Sequence, residues 1–353
     1  KGNEALAESA LRAGCRFFFG YPITPQTELA AYMSKRMPKV GGTFLQAESE
    51  IAAINMVYGA AGTGARVITS SSSPGISLKQ EGISYCAGAM VPAVIVNVMR
   101  GGPGLGNIQA SQGDYFQGTK GGGNGDYHLL TYAPASIQEF IDIMMFAYDK
   151  AEKYRIPVLF LADGIIAQMM EPVELPEMVD YKVDPEKKPW ACTGWKPGDD
   201  PKKRGIINSI YIDTETLAVH NDELQAMYKQ VTANEQMWEE YNCENAEYII
   251  TAFGTVARIA KSAINELKEK GIHVGLVRPI TVWPFPYDAV AKAVNQPSVK
   301  AVLDVELNEG QMLEDVKLAV CGTKPIDFTG HCGSQMPTTD EIVEKILSMK
   351  EGK

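Results

Sequence analysis

Apolar and polar positions along the first 170 residues alternate between two periods. Glu4–Ala13 carries its apolar residues at helical spacing and stops at Gly14, and Cys15–Phe19 is then a short apolar run ending in the turn Gly20-Tyr21-Pro22. That order predicts helix, strand and a stiff loop. Thr27–Met37 reads as a helix, Thr43–Gln46 as extended, Glu50–Gly62 as a helix rich in small residues, and Arg66–Ser70 as a strand. The polar turn Ser70–Gly75 leads into another helix, Ala93–Met99 has the β-branched character of a buried parallel strand, and Gln138–Tyr154 is helical before Val158–Leu161. Strands and helices alternating in this way predict a doubly wound α/β fold, a parallel sheet covered on both faces.

The pattern breaks twice. Arg100 to Tyr127 holds 10 glycines in 28 residues, a long loop of the kind that usually has a task. From Glu171 onward Pro172, Pro176, Pro185, Pro189, Pro197 and Pro201 fall among charges, which reads as a connector over 171–245. A smaller α/β unit is expected over 246–353. Its strands are Tyr248–Phe253, His273–Val277 and Val299–Asp304. Its helices are Ala257–Lys270, Tyr287–Val294 and Thr339–Leu347, the last capped by Thr338 or Thr339. Residues 1–170 form the first domain of this division.

Composition narrows the function. The chain has 353 residues, 45% of them hydrophobic and 22% charged, with a net charge of −10. An acidic chain without a basic stripe is a poor partner for nucleic acid. No apolar run reaches the roughly 18 residues of a membrane span and no leader pattern is visible, so a cytoplasmic protein is expected. The cysteines (Cys15, Cys86, Cys192, Cys243, Cys321, Cys332) show neither zinc-site nor cluster spacing, so no metal site is expected on this chain.

Several residues are placed to do chemistry. Glu50 opens a helix whose face is otherwise apolar and small, where a carboxylate is poorly solvated and suited to sharing a proton near neutral pH. Glu48 is its rival, and both also fit first-turn glutamates favoured by the helix dipole. The prolines of Tyr21-Pro22-Ile23-Thr24-Pro25 stiffen the backbone around the Thr24 hydroxyl, as a substrate-positioning turn or a plain structural one would. Arg100 ends an apolar strand just before Gly101-Gly102-Pro103-Gly104, where ligands of parallel sheets bind, and can meet a carboxylate with two N–H groups or simply face solvent. Lys120 and Asp126 of the glycine-rich loop are candidate substrate contacts, and His128 reads as structural. Gly104-Leu105-Gly106 and Gly121-Gly122-Gly123 lack the strand and helix context of a phosphate loop. Ala162-Asp163-Gly164 lacks the paired asparagines that a thiamine diphosphate and magnesium motif needs further along.

Taken together, Tyr21–Pro25, the run Ala47–Ala53 and Val96–Pro103 resemble, in order and spacing, the α subunit of the 2-oxoacid:ferredoxin oxidoreductases. The loop Ser111–Gln117 with Thr119–Gly123 is most similar to the branched-chain, or 2-oxoisovalerate, type. Thr251–Thr255 and Val277–Pro286 resemble the family's transketolase-C-terminal-like domain. The resemblance implies a thiamine-diphosphate-binding domain of the pyrimidine type followed by that smaller domain. It implies that Glu50, rather than Glu48, hydrogen-bonds N1′ of the aminopyrimidine, that Tyr21, Pro22, Ile23, Thr24, Glu50 and Arg100 line the cofactor, and that Thr24, Arg100 and Lys120 contact the substrate. The diphosphate with its Mg2+ and the [4Fe-4S] clusters are implied on other chains: a β subunit, a γ subunit and a ferredoxin-like δ subunit, in a dimer of hetero-oligomers. The implied reaction takes a 2-oxoacid and coenzyme A to acyl-CoA and CO2 and passes electrons to ferredoxin. Because Lys120 can meet a distal carboxylate, 2-oxoglutarate stays open as a substrate beside pyruvate and aryl pyruvates, and so does a non-catalytic scaffolding role.

Overall fold

The structure is a computed structural model and describes residues 1–333 and 335–352. The chain opens with α1 (Gly2–Arg12), β1 (Phe17–Gly20), α2 (Thr27–Arg36), β2 (Thr43–Gln46), α3 (Glu50–Gly62), β3 (Val67–Ser71), α4 (Ser73–Gly88) and β4 (Val94–Met99). It continues through α5 (Tyr115–Thr119), β5 (Leu130–Tyr132), α6 (Ile137–Tyr154), β6 (Val158–Asp163) and α7 (Gly164–Gln168). After α8 (Thr214–Asn234) come β7 (Trp238–Tyr241), β8 (Tyr248–Thr251), α9 (Gly254–Glu269), β9 (Val274–Pro279), β10 (Thr281–Trp283) and α10 (Tyr287–Val294). The chain closes with β11 (Ala301–Glu306), α11 (Leu313–Val320), β12 (Ile326–Gly330) and α12 (Thr339–Glu351).

The first sheet has the order β10-β5-β6-β4-β3-β1-β2 and is parallel apart from its β10 edge. β3, β4 and β6 are buried at every residue, which is why they read as continuous apolar runs and not as alternating ones. Successive side chains of β4 point to opposite faces. Val94, Val96 and Val98 join the core built with α1, α2 and α6, while Ile95 and Met99 join the one built with α3 and α4. α6 buries Phe140, Ile141, Met144, Ala147, Tyr148 and Ala151 at helical spacing, and the Ser136 hydroxyl caps its start by accepting from the Glu139 N–H at 3.1 Å.

The second sheet, β12-β11-β8-β9-β7, is parallel except for β7. Thr338 and Glu341 form a capping box at the start of α12. The two sheets exchange edges: β7 comes from the stretch read as connector, and β10 leaves the C-terminal unit to pair antiparallel with β5. Arg278 of β9 holds the exchange together, bonding Glu239 at 2.7 Å and Glu139 of α6 at 2.9 and 2.7 Å. The connector also contains α8, whose buried face is only Leu224, Met227, Tyr228 and Val231. No described helix is long and apolar enough to cross a membrane.

Candidate functional site

In the first sheet the parallel strands bring their carboxyl ends to one edge, and the candidate residues follow those ends: Tyr21–Pro25 after β1, Glu50 after β2, Ser72 and Ser73 after β3, Arg100 after β4. Ser49 separates the two rival glutamates. Its hydroxyl accepts the Ala52 N–H at 3.2 Å as the cap of α3 and donates to Glu48 at 2.8 Å, which keeps Glu48 outside, exposed. Glu50 turns inward and is 5% exposed.

Its carboxylate receives no hydrogen bond from any described residue. What it faces is the start of α4: a Cβ added to Gly75 would come 2.6 Å from Glu50 Oε1 and 2.0 Å from Ser71 Oγ, so only a glycine lets α4 approach this closely. The Ser71 and Ser72 hydroxyls are buried there without partners. A buried unsatisfied polar atom costs roughly 1–3 kcal/mol.

Arg100 is tied into the same edge. Its backbone N–H donates to Ser73 Oγ at 3.0 Å, and its guanidinium donates to the Thr24 carbonyl at 2.9 Å and the Leu105 carbonyl at 3.0 Å. Nε is buried with no partner, so the arginine enters the site already oriented and with a donor unused. The Tyr21–Pro25 turn is held from below by Gln26, which donates to the Tyr21 carbonyl at 3.1 Å and accepts from Ser70 Oγ at 2.6 Å. Tyr21, Pro22 and Thr24 are exposed and Ile23 half-buried.

The glycine-rich loop is built into both units. Gln112 donates to the Phe253 carbonyl at 2.8 Å and accepts the Leu307 N–H at 3.1 Å. Asp114 turns to the first sheet, where Ser73 Oγ and Asn97 Nδ2 donate to it at 2.5 and 2.8 Å; burial pushes its carboxyl up, and those two donors oppose the rise. Beside these residues, the turns at Gly102–Gly104 and Asn308–Gln311 border a cavity of about 440 Å3.

Lys120 stands apart. It pairs with Asp315 at 3.2 Å and Glu314 at 3.4 Å on α11, and the structure does not bring it to Arg100. Asp126 is exposed, and His128 stacks on Trp283 with ring centroids 4.3 Å apart, where burial lowers its basicity. Asp163 caps α7 and accepts from both the N–H and hydroxyl of Thr255, at 2.8 and 2.6 Å, locking the two units together. Sequence reasoning missed Lys79, a fully buried lysine of α4. Its signal was present, since 75, 76, 79, 82 and 83 form one helical stripe of which the other members are Gly or Ile.

Known proteins share this sequence and fold. Residues 8–242 match the family model "Pyruvate flavodoxin/ferredoxin oxidoreductase, thiamine diP-bdg", and residues 246–342 match "Pyruvate:ferredoxin oxidoreductase core domain II". The chain belongs to this family of 2-oxoacid oxidoreductase subunits, with a thiamine-diphosphate-binding domain. It is 45% identical to the ketoisovalerate oxidoreductase subunit VorB of Methanothermobacter thermautotrophicus, over 98% of this chain and 96% of that one. The 2-oxoglutarate synthase subunit KorA of Methanocaldococcus jannaschii is 36% identical over 98% of both chains. A solved 2-oxoglutarate:ferredoxin oxidoreductase from Magnetococcus marinus superposes with a TM-score of 0.83 at 26% identity, covering 98% of this chain and 64% of that one.

Proposed function

We propose that this chain supplies the pyrimidine-activating half of a thiamine diphosphate site in a cytoplasmic enzyme that oxidatively decarboxylates a branched-chain 2-oxoacid. The observation that carries the reading is the Glu50 carboxylate, buried at the carboxyl edge of the sheet with no donor among the described residues. The residues fit the cofactor's chemistry: Glu50, 5% exposed and without a donor among the described residues, is an acceptor for a ring with an N–H to give, and the Ser71 and Ser72 hydroxyls likewise lack partners. When bound, thiamine diphosphate supplies the nucleophilic carbon and electron sink that loss of CO2 from a 2-oxoacid requires.

This chain's residues then have distinct tasks. Glu50 would hold a proton at N1′, its burial leaving that exchange weakly screened. Tyr21, Pro22 and Ile23 form a stiff wall beside the ring. Arg100, pre-aimed by the Thr24 and Leu105 carbonyls, offers Nε and its remaining N–H groups to the substrate carboxylate, and the Thr24 hydroxyl adds a donor. Lys120 stays the candidate on the loop that meets the substrate side chain. Its charge is already answered by Asp315 and Glu314, which favours an apolar side chain over a second carboxylate and agrees with the higher identity to VorB than to KorA. The diphosphate with Mg2+ falls to a β subunit, and the [4Fe-4S] clusters to γ and ferredoxin-like δ subunits, in a dimer of hetero-oligomers that uses coenzyme A and ferredoxin.

The test is turnover of the assembled complex on 2-oxoisovalerate, 2-oxoglutarate, pyruvate and an aryl pyruvate with coenzyme A and ferredoxin. The highest kcat/KM is expected for 2-oxoisovalerate. A preference for 2-oxoglutarate would overturn the substrate assignment, and no turnover on any of the four would overturn the reaction.

A further inference from the structure

Ser73 opens α4 just after β3, and its hydroxyl holds Arg100 by the backbone. The Arg100 N–H donates to Ser73 Oγ at 3.0 Å, and the same oxygen lies 2.5 Å from Asp114 Oδ2 and 3.3 Å from the Arg100 carbonyl. A hydroxyl has one proton to give. The short contact to a carboxylate takes it, which leaves a lone pair of Oγ for the Arg100 N–H. Asn97 closes the ring: its Oδ1 accepts the Ser73 N–H at 3.0 Å, and its Nδ2 donates to Asp114 Oδ2 at 2.8 Å. The Arg100 N–H and the Asn97 amide nitrogen can only donate, so both routes end on Asp114 and need an acceptor there.

The loop on either side of Asp114 is fastened to the C-terminal unit. The Gln112 N–H donates to the Leu307 carbonyl at 2.9 Å, and the Gln112 carbonyl accepts from Asn308 Nδ2 at 2.9 Å. Gln311 donates to the Gly113 carbonyl at 2.7 Å and accepts the Phe116 N–H at 2.8 Å. Asp114 alone turns its side chain to the first sheet, and it meets the two residues that frame Arg100: Asn97, three positions earlier on the chain, and Ser73, bonded to the Arg100 backbone. The guanidinium is already committed to the Thr24 and Leu105 carbonyls, so the placement of the Arg100 backbone decides where its unused Nε lies.

We infer that Asp114 is a positioning residue for Arg100: by taking the Ser73 proton it frees the Ser73 oxygen to hold the Arg100 N–H, and it does so from a loop that the C-terminal unit keeps in place. The inference rests on the substrate-binding role proposed for Arg100. Without Asp114 the Ser73 hydroxyl has only the Arg100 carbonyl to turn to, and the ring opens at the residue that must meet the 2-oxoacid carboxylate.

Kinetics of the assembled complex provide the first test. Asp114→Ala should raise KM for the 2-oxoacid about tenfold with kcat changed less than about twofold, the order expected when a hydrogen bond to a charged group is lost. Asp114→Asn can offer an oxygen to both donors and should recover most of that loss; a loss as large as that of Asp114→Ala would rule out the hydrogen-bond route. Combined with Arg100→Lys, Asp114→Ala should add little to the single change, because both act at one place. Effects that multiply would overturn the inference, since Asp114 would then act elsewhere. Where Asp114→Ala does not assemble, Ser73→Ala removes the acceptor itself and must show the same rise in KM and the same failure to multiply.

Hydrogen exchange separates this inference from the role of Arg100 in binding. In the full chain labelled with nitrogen-15 arginine, the Arg100 amide, identified as the signal missing in Arg100→Lys, should exchange about tenfold faster in Asp114→Ala, while the Arg278 amide of β9 does not change. An Arg100 amide that exchanges as in the wild type overturns the inference whatever the kinetics. Faster exchange at Arg100 with KM unmoved by Arg100→Lys would support the positioning and sink only the reading of Arg100 as the substrate's partner.

Discussion

Glu50 and Glu306 are both buried glutamates at the carboxyl edge of a parallel sheet, and the fold treats them in opposite ways. Glu306, at the end of β11, accepts from the N–H groups of Met312 and Leu313, each at 2.9 Å, and from Asn308 Nδ2 at 2.8 Å. Asp304 lies two residues earlier on the same face, and burial together with the Glu306 charge raises its carboxyl well above the usual range, so Asp304 is the partner that keeps its proton. The second sheet thus spends its carboxylate on shaping the turn into α11. The first leaves its carboxylate without a donor among the described residues, and the Ser71 and Ser72 hydroxyls before α4 without partners. Burial alone does not mark a functional acid; burial without a partner among the described residues is what makes Glu50 the candidate.

The sharpest way to break this comparison is to make the same change at both places. Glu50→Gln should lower turnover of the assembled complex by ~10²–10⁴, the usual cost of losing a proton-transfer group, with the melting temperature nearly unchanged. Glu306→Gln should do the reverse, destabilising the chain by roughly 3 kcal/mol while the folded complex keeps its turnover. Chemical denaturation beside steady-state kinetics reads both. If Glu50→Gln unfolds the chain as Glu306→Gln does, the two sites are alike and the distinction fails.

Arg100→Lys comes next. A point charge on a flexible stem replaces an oriented planar fork, so kcat/KM for the 2-oxoacid should fall about 10–100-fold, with most of the change in KM. An unchanged KM would remove Arg100 from substrate binding.

A smaller effect is a pH dependence on the closed side of the comparison. Asp304 has a raised value in the folded chain, so its contribution to stability is complete at pH below its ordinary value and is lost as pH rises toward the folded one. Asp304→Asn puts a group of the same shape there that does not titrate. Its stability relative to wild type should therefore improve as pH rises above the ordinary carboxylate range, by up to about 1.4 kcal/mol per pH unit over the window where folded Asp304 still holds the proton that the unfolded chain has lost. A difference that does not vary with pH would mean Asp304 is already ionised.

The smallest effect is expected from Ser72→Ala. A hydroxyl with no partner among the described residues contributes little to the fold, so stability should move by less than about 0.5 kcal/mol while the complex binds thiamine diphosphate more weakly. A large loss of stability would show that Ser72 serves the fold instead.

Much of the open side was legible in the sequence. The Tyr21–Pro25 turn, the small-residue helix behind Glu50 and the apolar strand before Arg100 are local patterns, and the parallel sheet brings their ends to one edge. The tie between Glu48 and Ser49 is also local, but its direction depends on a rotamer that no spacing encodes. Lys79 was hidden by habit, because a lysine is read as exposed even when its helical neighbours at 75, 76, 82 and 83 are Gly and Ile. The exchanged edges were out of reach: β7 and β10 are short, and β10's partner lies about 150 residues away. Lys120 shows the same limit, since its partners Glu314 and Asp315 come from the other unit. α8 was masked by the proline-rich stretch before it and buries too few residues to stand out by periodicity.

The central claim is that this chain holds half of a cofactor site, and binding of thiamine diphosphate with Mg2+ tests it most directly when the isolated chain and the assembled complex are titrated calorimetrically side by side. The account predicts saturable binding by the complex, weakened by Glu50→Gln, and no binding by the isolated chain at concentrations that saturate the complex. Binding to the isolated chain as tight as to the complex, and indifferent to Glu50→Gln, would contradict it.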